Sequence, residues 1–258
     1  MTLRWEPDGP ARGEVALLHG VMALAETWWR IGPALAARGW RVAAFDLPGH
    51  GGDAPRDGAL DLDALVDGVA ARLDGPIDLL VGHSLGAIVA LRLLDRDPGA
   101  ARAVVLEEPP ALDGLDLGAL AAVIAQDAAA VRGDRAPLVA REREANPRWD
   151  PGDVERSVRG IDEADAGAVV AALRGPLRWD LSALLARVGI PALVIAAPDA
   201  PGTFPLDPGS ALRGAERDAV RAAVGEQRLV EIDGGHCLHR DDPARWLEVV
   251  DGFARAAL

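Results

Sequence analysis

The 258-residue sequence predicts an α/β fold, with a mostly parallel central sheet, helices on both faces and one helical insertion. Three observations predict it. Short apolar runs alternate with segments of helical periodicity through residue 110. From 111 to 187 no strand-like run occurs, and the segment is rich in Ala, Arg and Asp. After 188 the alternation resumes. A βαβ rhythm builds a parallel sheet through right-handed crossovers, with sites beyond the carboxyl ends of its strands.

Residues 14–18 read as a short apolar strand ending in His19-Gly20. Residues 26–38 read as a helix with Trp29, Ile31 and Leu35 among its apolar positions and Gly39 as its stop. Residues 41–47 form the next strand, followed by the turn-rich Asp46-Leu47-Pro48-Gly49-His50-Gly51. Asp61 is placed to cap a helix in which Leu62, Leu65, Val66, Val69 and Leu73 recur at helical spacing. Strand 77–81, helix 85–95 and strand 103–106 follow. The stretch 111–187 is helical by propensity and punctuated by Gly133, Pro137, Pro147, Pro151 and Gly175-Pro176. It reads as a cap inserted over the sheet edge, between core segments 1–110 and 188–258. The core closes with strand 190–196, a helix near 210–224, strand 228–232 and a helix starting at Pro243.

Composition excludes several chemistries. The 27 basic residues are all Arg, against 40 acidic residues, for a formal net charge of −13. Without Lys there is no Schiff base, no P-loop lysine and no kinase lysine. Without Tyr there is no Tyr–Lys dehydrogenase pair. The lone Cys237 allows neither an intrachain disulfide nor a cysteine-built zinc site. The acid excess speaks against nucleic acid and, more weakly, against anionic membranes and acidic carrier proteins. No apolar run approaches a membrane span, and the first residues lack an apolar signal core, so a cytoplasmic location is expected. The Arg and Ala bias looks like GC-rich, bacterial coding. The sequence carries no signal of oligomeric state.

The most informative motif is Gly82-His83-Ser84-Leu85-Gly86, which matches G-x-S-x-G between a buried strand and an apolar helix. In that setting Ser84 sits on a sharp strand-to-helix turn, in front of a helix N-terminus that offers N–H groups to a developing oxyanion. Serine needs a base. Of the five histidines, His236 follows the last strand in a glycine-permitted turn and is the candidate. His83 is expected to pack beneath the elbow, His19 and His50 to hold loops, and His239 to lie on the surface or rim. A metal reading of His236 and His239 lacks a third ligand at suitable spacing. For the carboxylate that orients the base, Asp199, Glu107 and Glu108 all stand at strand ends and keep the order Ser, acid, His or place the acid between them. Asp207 is a more distant fallback. The second oxyanion donor is expected after the first core strand, pairing the N–H of Val21 with that of Leu85. Met22, Trp28 and Trp29 lie close behind, and Met22 and Trp28 are candidates for the substrate pocket.

Taken with Pro191-Ala192-Leu193-Val194-Ile195 and Asp242-Pro243, these motifs resemble the α/β-hydrolase family along nearly the whole chain. The resemblance implies that the acid is Asp199 and that segment 111–187 is a cap over the pocket. It departs from the family at Ala196, where the acid turn usually carries Gly, and at Val21-Met22, which lacks the glycines of a Gly-rich oxyanion loop. Ser84 in place of Asp argues against haloalkane dehalogenases and epoxide hydrolases. The expected activity is hydrolysis of a small-to-medium carboxylic ester, lactone or thioester through an acyl-enzyme on Ser84, with no metal or organic cofactor. The alternatives are an acyltransferase or perhydrolase using the same triad, and a non-catalytic ligand-binding protein. On this reading Asp199→Asn disables turnover while Glu107→Gln and Glu108→Gln do not.

Overall fold

A computed structural model of the chain describes residues 1–51, 60–200, 205 and 209–258. Among them, one sheet contains β1 (Thr2–Trp5), β2 (Gly13–Leu18), β3 (Trp40–Phe45), β4 (Ile77–His83), β5 (Ala101–Glu107), β6 (Ala192–Ala196) and β7 (Leu229–Glu231). Their spatial order is β1-β3-β2-β4-β5-β6-β7. Only β1 is antiparallel, pairing with β3 in the register Thr2↔Phe45. The expected α/β architecture is therefore present, with this one edge strand added. β1 is four residues long and largely exposed, so it carries no buried pattern that the sequence would reveal.

The chain crosses from β2 to β3 on one side and then returns to place β4 on the other side of β2. The loops leaving β2 and β4 consequently diverge, opening a crevice at the carboxyl ends of the strands. Val21 follows β2 and Ser84 follows β4, so both stand at this switch point.

The helices are α1 (Ile31–Ala36), α2 (Leu62–Ala70), α3 (Leu85–Arg96), α4 (Leu117–Gly133), α5 (Ala136–Ala145), α6 (Pro151–Glu163), α7 (Ala166–Arg174), α8 (Leu181–Leu185), α9 (Gly214–Val224), α10 (Leu238–Asp241) and α11 (Pro243–Ala257). None of the described helices is long and apolar enough to cross a membrane. Strand residues alternate between two cores, because successive side chains point to opposite faces. Val15 and Leu17 of β2 pack with Trp28, Ile31, Leu35, Trp246 and Val250. Ala16 and Leu18 pack with Val66, Ile88, Leu184 and Val220 on the other face. α1 and α11 thus cover one face, and α2, α3, α8 and α9 the other.

Helices α4 to α7 occupy the segment between β5 and β6, and no strand lies there. Their apolar residues Ala121, Ile124, Val158, Ile161 and Leu173 join the same core as Leu18 and Met22. Polar contacts tie them to the loop after β2: Trp29 Nε1 donates to Asp153 at 2.8 Å, Arg30 pairs with Asp153, and Arg159 pairs with Glu26. Much of the acid excess has a local use. Asp61, Asp116, Asp150, Asp165, Asp180 and Asp242 each accept a backbone N–H at a helix N-terminus, as the cap preference of Asp predicts.

Candidate active site

Ser84 ends the turn from β4 into α3 with φ 51° and ψ −117°, a backbone conformation rare for a residue with a side chain. Its own N–H donates to the carbonyl of Glu107 at 2.9 Å, which pins the turn to the neighbouring strand. Two glycines make the turn possible. A Cβ on Gly82 would collide with the backbone of Gly86 and Ala87, and one on Gly86 with the carbonyls of Leu18 and His19. Ser84 is 6% exposed and faces a cavity of ≈ 220 Å³.

His236 lines the same cavity. It follows β7 in the Gly234-Gly235 turn, where the Gly235 N–H donates to Asp241 at 2.7 Å. His236 Nδ1 lies 3.2 Å from Glu108 Oε2. Glu108 is fully buried and directly follows β5, with φ 51°. Its Oε1 accepts from the Ala197 N–H at 2.6 Å and the Ser210 hydroxyl at 2.8 Å. Its Oε2 also accepts from the Ala211 N–H at 2.6 Å. Those donors fix the direction of the carboxylate.

The expectation that Asp199 orients His236 is corrected by this arrangement. Asp199 is exposed, and its carboxylate accepts from the Gly214 N–H at 3.2 Å, at the start of α9. The loop after β6 turns this acid outward and sends backbone N–H groups to Glu108 instead. Asp207 lies outside the described residues. The sequence did mark Glu108 as a strand-end acid but gave no means to rank it above Asp199.

At the loop after β2, Met22 has φ 57° and donates its N–H to His50 Nε2 at 3.0 Å. His50 Nδ1 in turn contacts the Pro48 carbonyl at 3.1 Å. His19 holds the adjoining turn, accepting from the Leu47 N–H at 2.9 Å and bonding the Gly20 carbonyl at 2.7 Å. Both rings thus serve loop geometry. Desolvation lowers both pKa values, well below the ordinary value for His19. Val21 and Leu85 line the cavity, and among the described residues their backbone N–H groups have no protein acceptor.

The cavity wall is mainly apolar, with Met22, Leu85, Leu120, Ile124, Ile161 and Trp179 as examples. Met22 is where the sequence placed it. Trp28 is not, and this pocket assignment is corrected. Its ring is fully buried in the opposite core, 4.4 Å from His239 and 5.9 Å from Trp246. The expected continuous helix over 26–38 is instead a 3-10 turn (Ala25–Trp28) followed by α1, and the break aims Trp28 beneath the sheet. Trp29 stacks its ring under Arg156 at 4.3 Å.

His83, Glu107 and His239 are all buried, and their ligand atoms lie within 4.8 Å of one another. That spacing would suit a metal ion, but the atoms are engaged by protein. Glu107 accepts from the N–H of His239 at 3.0 Å, from His239 Nδ1 at 2.8 Å and from Trp246 Nε1 at 2.9 Å. His239 Nε2 bonds the Thr27 hydroxyl at 2.9 Å, and His83 Nε2 bonds the His236 carbonyl at 2.8 Å. His239, expected at the surface, is 1% exposed. Burial holds the pKa of His83 and His239 well below the ordinary histidine value and raises that of Glu107. Neutral rings stacked beneath the elbow keep extra positive charge away from His236.

The family model described as "Alpha/beta hydrolase family" matches residues 15–249. A pimeloyl-[acyl-carrier protein] methyl ester esterase of Neisseria meningitidis is 45% identical over 93 residues, 36% of this chain and 35% of the esterase. The chain thus matches about a third of the length of that relative. Lipase LipV of Mycobacterium tuberculosis is 34% identical over 197 residues, covering 74% of this chain and 67% of the lipase. Among solved structures, a thermophilic esterase from Thermogutta terrifontis superposes with a TM-score of 0.73 at 21% identity, over 99% of this chain and 93% of that one. The model match spans the elbow, the buried glutamate and the histidine turn alike, and the chain belongs to the alpha/beta hydrolase family.

Proposed function

We propose that the chain is a serine hydrolase that cleaves a small-to-medium carboxylic ester, lactone or thioester. One observation carries the reading. Ser84, on a strained turn at a helix N-terminus, shares an apolar cavity with His236, whose Nδ1 is held by a buried, fully hydrogen-bonded Glu108. Binding alone gives no reason for a strained serine, a histidine and an oriented carboxylate at one switch point. The names of the esterase and lipase relatives support the same class of reaction.

Ser84 attacks the substrate carbonyl while His236 Nε2 takes the hydroxyl proton. Glu108 holds the ring with its proton on Nδ1 and stabilises the imidazolium that forms. The N–H groups of Val21 and Leu85 receive the oxyanion, and loss of one such donor typically costs about 10²–10³ in turnover. His236 then protonates the leaving group, activates water and returns the enzyme. Helices of segment 111–187 act as the cap, since Leu120, Ile124, Ile161 and Leu173 close the cavity from that side. The enzyme works in the cytoplasm on a free small molecule.

A fluorophosphonate probe tests the nucleophile. Labelling of the wild-type chain should map to Ser84 and vanish in Ser84→Ala. Undiminished labelling of that variant would remove Ser84 from the role.

A further inference from the structure

The cavity contains one cation that the hydrolytic steps do not use. Arg240, in α10, lines the cavity and is 4% exposed. A buried guanidinium is ordinarily paired with a carboxylate, because an unpaired buried charge is costly. Among the described residues, no carboxylate lies within ion-pair distance of Arg240. Its Nε and Nη2 both donate to a neutral acceptor, the Thr27 hydroxyl, at 3.0 and 2.7 Å. Trp149 stacks on the guanidinium face at 4.5 Å from the ring centroid. Nη1 has no protein acceptor among the described residues. The group is thus oriented by a hydroxyl and an indole, with its charge left uncompensated.

Two ionic groups nearby are already paired. Asp127 on the cavity wall receives both Nη atoms of Arg141 at 2.8 and 2.7 Å. Arg30, whose Nη2 donates to the Arg240 carbonyl at 2.9 Å, is paired with Asp153. The remaining cavity surface is mainly apolar. If Arg240 served packing alone, a Leu or Met would fill the space without burying charge.

We propose that Arg240 anchors a carboxylate carried by the substrate, so that the preferred substrates are half-acids: esters, lactones or thioesters bearing one free carboxylate. This deepens the serine-hydrolase reading and depends on it for the reacting bond. A monoanion fits best, since one cation in an apolar chamber cannot balance a phosphate dianion. The net charge of −13 does not oppose this, because surface charges are screened within about 8–10 Å at physiological salt while a buried cation acts at contact.

Two measurements test it. In full-length Ser84→Ala, where no turnover intervenes, calorimetry compares the monoanion monomethyl adipate with its neutral amide, methyl adipamate. Monomethyl adipate should bind at least tenfold more tightly, and Arg240→Gln should remove the difference while Arg240→Lys keeps part of it. In the enzyme with Ser84 intact, the ratio of kcat/KM for mono-4-nitrophenyl adipate to that for 4-nitrophenyl hexanoate should fall at least tenfold in Arg240→Gln. A merely structural arginine would lower both rates together and leave the ratio unchanged, which would overturn the proposal. Equal binding of monomethyl adipate and methyl adipamate with Arg240 present would also overturn it, and needs no variant at position 240. Absence of all ester turnover in the wild type would sink the hydrolase reading, while the calorimetry would still decide the anchor.

Discussion

Glu107 and Glu108 are adjacent in sequence, yet their carboxylates serve opposite faces of the sheet. Glu107, the last strand residue, turns to His239 and Trp246 under the elbow. Glu108, at positive φ, turns to Ala197, Ser210, Ala211 and His236. Sequence periodicity places acids at strand ends, but the reach of each depends on the loop that follows. That is why Ser84 and His236 were legible and the acid was not: a tight turn leaves one direction open, whereas Asp199 begins a long loop free to turn it outward. His239 misled for a related reason. Its charged neighbours suggest a surface, but the short α10 buries its ring against Trp28. Cys237 also lines the cavity, and burial pushes its thiol pKa up to about 12. A neutral thiol is a poor nucleophile. Iodoacetamide at pH 8 should therefore alkylate the native protein at least tenfold more slowly than free cysteine, and rapid stoichiometric alkylation would contradict this.

The strand-to-helix turn is the element on which the site depends. Its glycines are not loose joints; they are the places where a Cβ would strike backbone. Gly86→Ala should cost about 2–3 kcal/mol or more, since neither Leu18 nor His19 can move its carbonyl without disturbing β2. Urea unfolding reads this as a lower midpoint, and an unchanged midpoint would show that α3 can shift. The helix expected over 26–38 fails at one residue. Pro33 has no N–H for the carbonyl one turn earlier, and its ring crowds that carbonyl, so the helix can begin at Ile31 but not run through from Glu26. The Asp61 cap was legible, and its carboxylate accepts from the Ala64 N–H at 2.8 Å, whereas the cap at Asp150 shows only in the structure. Asp150 accepts from the Gly152 N–H at 2.7 Å, and Asp153 reaches back to the Asp150 N–H at 3.2 Å. Asp150→Ala should therefore lower stability by about 1 kcal/mol in the same measurement.

At the scale of the molecule, the βαβ rhythm fixed the parallel sheet and its switch point, while the packing of the inserted helices emerged only from contacts distant in sequence. His19, His50, His83 and His239 are all buried, and this sets a pH dependence. His19, His50, His83 and His239 all have native pKa values lowered by burial from the ordinary 6.5. The unfolded chain binds these protons more readily. Stability is therefore full above about pH 6.5 and declines as pH falls from there towards the depressed native values. Glu107 and Asp241, with native pKa values raised by burial, oppose this, because their native forms gain protons more readily than the unfolded forms. Four histidines against two carboxyls predict a melting temperature that drops between pH 7 and pH 5, and a flat profile would show that the rings are hydrated. The central claim is that Ser84, His236 and Glu108 act as one catalytic unit. Its most direct test is kcat on a single 4-nitrophenyl ester for Glu108→Gln and Asp199→Asn, both with native circular dichroism. Glu108→Gln is expected to lose about 10³–10⁴ in kcat, from the wrong histidine tautomer, and Asp199→Asn to stay within about threefold of wild type. A large loss in Asp199→Asn with Glu108→Gln near wild type would contradict it.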